Sequence, residues 1–115
     1  MFRPQETNVG QLQPVSAEDW DREVTSSPLP VLVEFWSRHS DPCRFEDPVL
    51  EAVAEGNHGV KILRVDVEAE PLLAERYAVR ALPTMILFVN GVPVHHIVGY
   101  HEGTDLKRQL AGYLN

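Results

Sequence analysis

The chain has 115 residues, which is the size of one ordinary domain. Seventeen Asp and Glu against ten Lys and Arg give a formal net charge of −7, and the absence of clustered cations argues against nucleic acid and anionic membrane surfaces as partners. The single cysteine, Cys43, excludes an internal disulfide and a zinc site made of four cysteines.

The N-terminal region contains no apolar stretch of signal-peptide length, and no segment has the roughly 18 apolar residues of a membrane helix. This predicts a cytoplasmic protein. Residues 1–10 are polar and include Pro4 and Gly10, which predicts a flexible N-terminal arm. A single domain is predicted over residues 11–115.

The domain opens with a predicted strand and a short helix. Residues 12–15 fit a strand at a sheet edge, because Pro14 has no backbone N–H to donate within a central strand. Ser16 then predicts the N-cap of a helix over residues 17–25, with Trp20 on its apolar stripe.

A buried strand and a longer helix follow. Residues 30–36 form a short, β-branched and aromatic run that is typical of a buried strand, interrupted only by Glu34. Apolar residues at helical spacing predict a helix over residues 43–55, and Pro48 should kink it by removing one backbone donor.

The second half continues the alternation of strands and helices. In chain order it predicts a strand over residues 60–67, a helix over 71–77, strands over 85–89 and 94–98, and a helix over 102–114. Asn90-Gly91 is a strong signal for a hairpin between the last two strands. Leu106, Leu110 and Leu114 form one face of the last helix, which either packs on the sheet or serves as an assembly surface.

The order βαβαβαββα predicts an α/β domain with a central mixed sheet and helices on both faces. The βαβ part should be parallel and right-handed, and the hairpin adds antiparallel strands.

Several motifs at matching positions resemble the thioredoxin family over residues 12–115. They are Phe35-Trp36, Pro42-Cys43, Pro48 in the kinked helix, Leu82-Pro83-Thr84, Asn90-Gly91 and Val98-Gly99. The resemblance implies the thioredoxin fold, with a cis peptide bond before Pro83 that faces the redox motif.

The chain departs from the family at the redox motif itself. Where the family has two cysteines separated by two residues, this chain has Ser40-Asp41-Pro42-Cys43. Ser40 replaces the attacking cysteine, and a hydroxyl cannot attack or hold a disulfide sulfur at neutral pH. The dithiol cycle is therefore closed, and Ser40 is predicted to cap the helix that follows it.

Two side chains near this motif each have two interpretations. Cys43 is either a small buried apolar residue or a single thiol activated by the helix N-terminus. The resemblance implies that Glu34 accepts a proton from Cys43, and the alternative is an ion pair with Arg64. His39 replaces an exposed tryptophan of the family, and the remaining histidines do not suggest a metal site, so neither a metal nor a cofactor is predicted.

Within the family, the S-x-x-C form preceded by Phe-Trp-Ser is similar to the chaperone-linked thioredoxins, the chaperedoxins. The main hypothesis is a protein that binds protein or peptide clients, with a chaperone as a possible partner, and does not turn over disulfides. The residues predicted to contact the partner are Trp36, His39, Leu82, Pro83, Gly99 and Tyr100. The alternative is a protein-disulfide oxidoreductase or monothiol redox protein acting through Cys43 in redox homeostasis.

Overall fold

The computed structural model describes residues 12–56 and 59–114. The predicted N-terminal arm lies outside these residues. The elements in chain order are β1 (Gln13–Pro14), α1 (Asp21–Thr25), β2 (Val31–Trp36), α2 (Asp41–Gly56), β3 (Lys61–Asp66), α3 (Pro71–Arg76), β4 (Thr84–Val89), β5 (Val92–Val98) and α4 (Gly103–Leu110). The predicted order βαβαβαββα and the mixed-sheet α/β class are confirmed.

The five strands form one sheet in the order β1-β3-β2-β4-β5. β3 pairs in parallel with both β1 and β2, whereas β4 runs antiparallel to β2 and β5. Pro14 lies in the edge strand β1, as predicted, where its missing N–H breaks no central ladder.

Each face of the sheet carries its own apolar core. One core includes Trp20, which directly precedes α1, with Val24 of α1 and Leu73 of α3. The other core includes Leu50 and Val53 of α2 with Leu106 and Leu110 of α4. Leu106 is fully buried and Leu110 is 2 % exposed, so the apolar face of α4 packs on the sheet and is not a free assembly surface.

Two predicted helix ends differ from the structure by four residues each. Ser16 does not cap α1, because its hydroxyl donates to Asp19 Oδ2 at 3.2 Å within a turn that precedes the helix. α1 is a single wide π-type turn that starts only at Asp21. α4 ends at Leu110, four residues before the predicted end, and the chain continues in turns.

The β4–β5 hairpin brings two positive-φ residues into its turn, Asn90 (φ 54°) and Gly91 (φ 78°). Both central positions of a type I′ turn require positive φ, which is why Asn-Gly predicts this hairpin. Strand β5 begins at Val92, two residues earlier than predicted, and its pairing with β4 shifts register between Leu87 and Phe88.

The cis peptide bond expected before Pro83 is confirmed. In the described part of the chain, no helix has the length and apolarity needed to cross a membrane.

Candidate functional site

The candidate site lies where β2 ends at Trp36 and α2 begins at Asp41. Ser37 organises the connection: its hydroxyl donates to Glu68 Oε2 at 2.6 Å and accepts the His39 N–H at 3.1 Å. The Ser40 N–H donates to the Ser37 carbonyl at 3.1 Å. These bonds hold the connection in a tight turn and place Ser40 directly before the helix.

Ser40 and Cys43 come together across the first turn of α2. The Ser40 carbonyl accepts a hydrogen bond from the Arg44 N–H at 3.4 Å, which places Ser40 at the N-cap position. Its side chain hydrogen-bonds to Cys43, and this contact favours the thiolate. Ser40 therefore faces the sulfur that its cysteine counterpart would bridge in a dithiol protein.

Cys43 is only 1 % exposed. Burial is the largest influence on its thiol and raises its pKa, and the nearby carboxyl groups of Glu34 and Asp47 act in the same direction. The hydrogen bond from Ser40 opposes this rise without reversing it. Of the two interpretations from the sequence, these properties favour a buried and unreactive cysteine.

Glu34 lies beneath the site in β2 and is fully buried. Burial and the nearby Asp47 carboxylate raise its pKa to about 8, although Arg64 opposes the shift. Arg64 Nε is 3.7 Å from Glu34 Oε1, too far for a hydrogen bond, and neither oxygen of Glu34 meets a conventional donor. Arg64 instead donates to both oxygens of Asp47 at 3.1 Å. Glu34 is thus a neutral acid at pH 7, with Arg64 nearby but committed to another carboxylate.

Trp36 and His39 form the outer part of this end of the sheet. Trp36 is half-buried, with the Arg64 guanidinium 4.0 Å from its ring centre, a cation–π contact that fixes the indole plane. The His39 side chain is 69 % exposed, and its Nε2 lies 3.5 Å from Glu68.

The remaining predicted contact residues lie at the adjacent ends of β4 and β5. Pro83 is buried, Leu82 is half-buried, and the Gly99 N–H donates to the Pro83 carbonyl at 2.8 Å. Gly99 has φ 85°, and a Cβ built on it would meet no atom within 4 Å, so the space beside it is open. Tyr100 is 46 % exposed.

The strand register shows that the end of β2, at Trp36, lies beside Pro83, which directly precedes β4. Phe35 is paired with Thr84 in the antiparallel β2–β4 ladder. Continuing that ladder by one residue in each strand brings Trp36 opposite Pro83. The predicted contact residues therefore share one end of the sheet.

Two acidic residues of α2 were missed by the sequence analysis, Glu46 and Asp47. Glu46 is fully buried, and its Oε1 accepts the His101 N–H at 2.7 Å. Glu46 follows Cys43 by three residues and therefore lies on the same helix face. That spacing could have identified it from the sequence. Across residues 12–56 and 59–114, no three His, Cys, Asp or Glu side chains are arranged to hold a metal ion.

Comparison with known proteins gives a consistent family. The thioredoxin family profile matches residues 11–112. The chain is 31 % identical over 102 residues to a thioredoxin of Porphyra purpurea, covering 88 % of this chain and 95 % of that protein. It is 40 % identical over 103 residues to a thioredoxin of Mycolicibacterium smegmatis, covering 87 % of this chain and 92 % of that protein.

A solved structure supports the same assignment. A mutant thioredoxin from Halobacterium salinarum NRC-1 superposes with a TM-score of 0.84 at 30 % sequence identity, covering 93 % of this chain and 94 % of that one. With the five-stranded mixed sheet, the cis bond before Pro83 and the strand-to-helix turn at Ser40, these matches show that the chain belongs to the thioredoxin family.

Proposed function

We propose that this protein binds an extended segment of a partner protein without turning over disulfides. The observation that carries the proposal is the pairing of Ser40 with the buried Cys43. Disulfide exchange requires an accessible thiolate that attacks and a second thiol that resolves the mixed disulfide. The residue with the single thiol of this chain, Cys43, is 1 % exposed, and a hydroxyl stands in the attacking position.

The surface around Pro83 supports partner binding independently of sulfur chemistry. Trp36 offers a half-buried aromatic face held in place by Arg64, and Tyr100 offers a second exposed ring. Rigid aromatic side chains bind with little loss of conformational entropy and are enriched at protein interfaces. The open space beside Gly99 would let a partner backbone approach the sheet closely.

The second candidate function is monothiol or disulfide redox chemistry through Cys43. Its support is the Ser40 hydrogen bond, which favours the thiolate, together with the relatives that are named thioredoxins. Burial of Cys43 acts against it, because a mixed disulfide needs access to the sulfur.

The partner class and location are part of the same proposal. The similarity of Phe35-Trp36-Ser37 and Ser40-Asp41-Pro42-Cys43 to the chaperone-linked thioredoxins favours unfolded or damaged protein clients, with a chaperone as a further partner. We place this activity in the cytoplasm, where a single unpaired cysteine stays reduced.

Reduced, carboxymethylated α-lactalbumin is a suitable probe, because it is permanently unfolded and has no free thiol for disulfide chemistry. We expect the wild-type chain to bind it, and Tyr100→Ala to weaken binding by about fivefold or more. Tyr113→Ala is the matched control, since Tyr113 is similarly exposed (42 %) but contacts His95 and Val94 instead.

The proposal also requires the wild-type chain to leave insulin disulfides intact under conditions in which a two-cysteine thioredoxin reduces them. Equal binding by the two tyrosine variants, or catalytic reduction of insulin, would contradict it.

A further inference from the structure

Glu46 is a fully buried acidic residue to which the proposed function gives no role. Glu46 extends from α2 three residues after Cys43, and none of its surface is exposed. Its Oε2 has no hydrogen-bond partner among the described residues. Burial raises the pKa of Glu46, as expected for a carboxylate removed from water. Burying a carboxyl with one unpartnered oxygen costs free energy of folding. The hydrogen bond made by its other oxygen is therefore the contact that can offset this cost.

The Oε1 atom of Glu46 holds the loop between β5 and α4. It accepts the backbone N–H of His101 at 2.7 Å. His101 is anchored further by its ring, whose Nδ1 lies 2.5 Å from Asp105 Oδ2 and whose Nε2 lies 3.1 Å from the Val98 carbonyl. The loop is therefore tied to its own strand, to its own helix and, through Glu46, to α2.

This loop forms one wall of the proposed partner surface. Gly99 and Tyr100 lie between Val98 and His101, and the Gly99 N–H donates to the Pro83 carbonyl at 2.8 Å. On the other side, α2 begins at the turn that contains Ser40. The bond from Glu46 to His101 thus links the helix on one side of the surface to the loop on the other.

We propose that Glu46 is a positioning residue, which fixes the Gly99–Tyr100 wall relative to the Ser40 end of α2 and so preorganises the partner surface around Pro83. The consequence for binding rests on the proposed function, whereas the consequence for the loop does not. Preorganised surfaces bind more tightly because less freedom is lost on association.

Substitution by leucine separates this role from a purely structural one. Glu46→Leu removes a buried carboxyl whose Oε2 is unpartnered, which is favourable, but it also leaves the His101 N–H without its acceptor, which is unfavourable. These two effects oppose each other, so Glu46→Leu should unfold close to the wild-type temperature and still have a looser loop. If Glu46 only supported the fold, its substitution would loosen the loop only as far as it lowered the unfolding temperature.

The experiment measures amide hydrogen exchange by NMR and affinity for carboxymethylated α-lactalbumin in the same variants. In Glu46→Leu we expect the His101 and Gly99 amides to exchange about tenfold faster, because His101 loses its acceptor and the loosened loop opens the bond from Gly99 to the Pro83 carbonyl more often. Probe binding should weaken by about fivefold. Glu46→Gln keeps an oxygen acceptor for His101 and should stay within about twofold of wild type in both measurements.

Glu51→Leu is the control, because Glu51 lies in the same helix but is exposed. Unchanged exchange at His101 and Gly99 in Glu46→Leu would overturn the proposal, as would faster exchange with unchanged affinity for the probe. A wild-type chain that fails to bind the probe would contradict the proposed function, and the exchange rates would still support or overturn the positioning of the loop by Glu46.

Discussion

Arg64 donates to both carboxylate oxygens of Asp47, at 3.1 Å each. This pair explains the state of Glu34, which the sequence alone left open between a proton acceptor and a partner of Arg64. Because the guanidinium donates its hydrogen bonds to Asp47 and its Nε stays 3.7 Å from Glu34 Oε1, the buried carboxyl gains a charge attraction but no hydrogen bond from Arg64. Desolvation and the Asp47 charge dominate, and Glu34 holds its proton at neutral pH.

The first prediction concerns the pH dependence of stability. Glu34 has a pKa of about 8 in the folded chain, against an ordinary value of 4.5. Between these values the folded state binds more protons than the unfolded state. The free energy of unfolding should therefore fall as pH rises through this window, by up to about 1.4 kcal/mol per pH unit from this group. The stabilising protonated state is complete below about pH 4.5, and its contribution is lost above about pH 8.

Glu34→Gln removes this titration. We expect urea unfolding of the variant to depend less steeply on pH between 5 and 8, and the variant to be more stable than wild type at pH 8. Glu51→Gln, at an exposed position of α2, should follow the wild-type curve. Parallel curves for wild type and Glu34→Gln across that range would show that Glu34 is not the titrating group.

The second prediction concerns the reactivity of Cys43. Because the thiol is buried and its pKa is raised, iodoacetamide should label the folded chain at pH 7 at least about tenfold more slowly than the chain unfolded in urea. The measurement is the alkylation rate followed by mass spectrometry from pH 6 to 9. Rapid labelling of the folded chain below pH 7 would favour the monothiol alternative over partner binding.

The third prediction restores the missing sulfur. Ser40 lies at the N-cap of α2, with its side chain bonded to Cys43, so Ser40→Cys places a thiol where it can pair with Cys43. Thiols at a helix N-terminus are acidified. We expect the variant to form an internal disulfide and to reduce insulin, which the wild-type chain should not do. Ser40→Cys combined with Cys43→Ser is the control, since it has an attacking thiol without a resolving one. If Ser40→Cys remains inactive, the loss of redox function extends beyond position 40.

The fourth prediction concerns the hairpin turn at Gly91. Its φ is 78°, and an added Cβ would lie 2.9 Å from the Thr25 carbonyl oxygen, which is backbone and cannot move aside easily. Gly91→Ala should therefore lower the free energy of unfolding by about 2 kcal/mol or more. Gly112→Ala is the control, because a Cβ there meets nothing within 4 Å. Equal urea midpoints for the two variants would contradict this account of the turn.

Much of the fold could be predicted because its signals are local. Side-chain periodicity distinguishes strands from helices, and Asn90-Gly91 specifies the hairpin through its positive φ values. The errors were also local. Ser16 has the residue type of an N-cap, yet it bonds to Asp19 in a preceding turn, so residue type alone placed the start of α1 too early. The apolar spacing of Leu114 extended α4 beyond Leu110, because periodicity does not mark where a helix gives way to turns.

The presence of one thiol, the hydroxyl at position 40 and the order of the strands and helices could all be read from the amino-acid sequence. These are properties of composition and short-range pattern. The burial of Cys43, the carboxylate that Arg64 binds and the backbone N–H that Glu46 accepts became known only from the folded chain. Each of these depends on packing between distant segments, where removal of water sets the cost of a charge and a difference of less than 1 Å decides which groups are bonded.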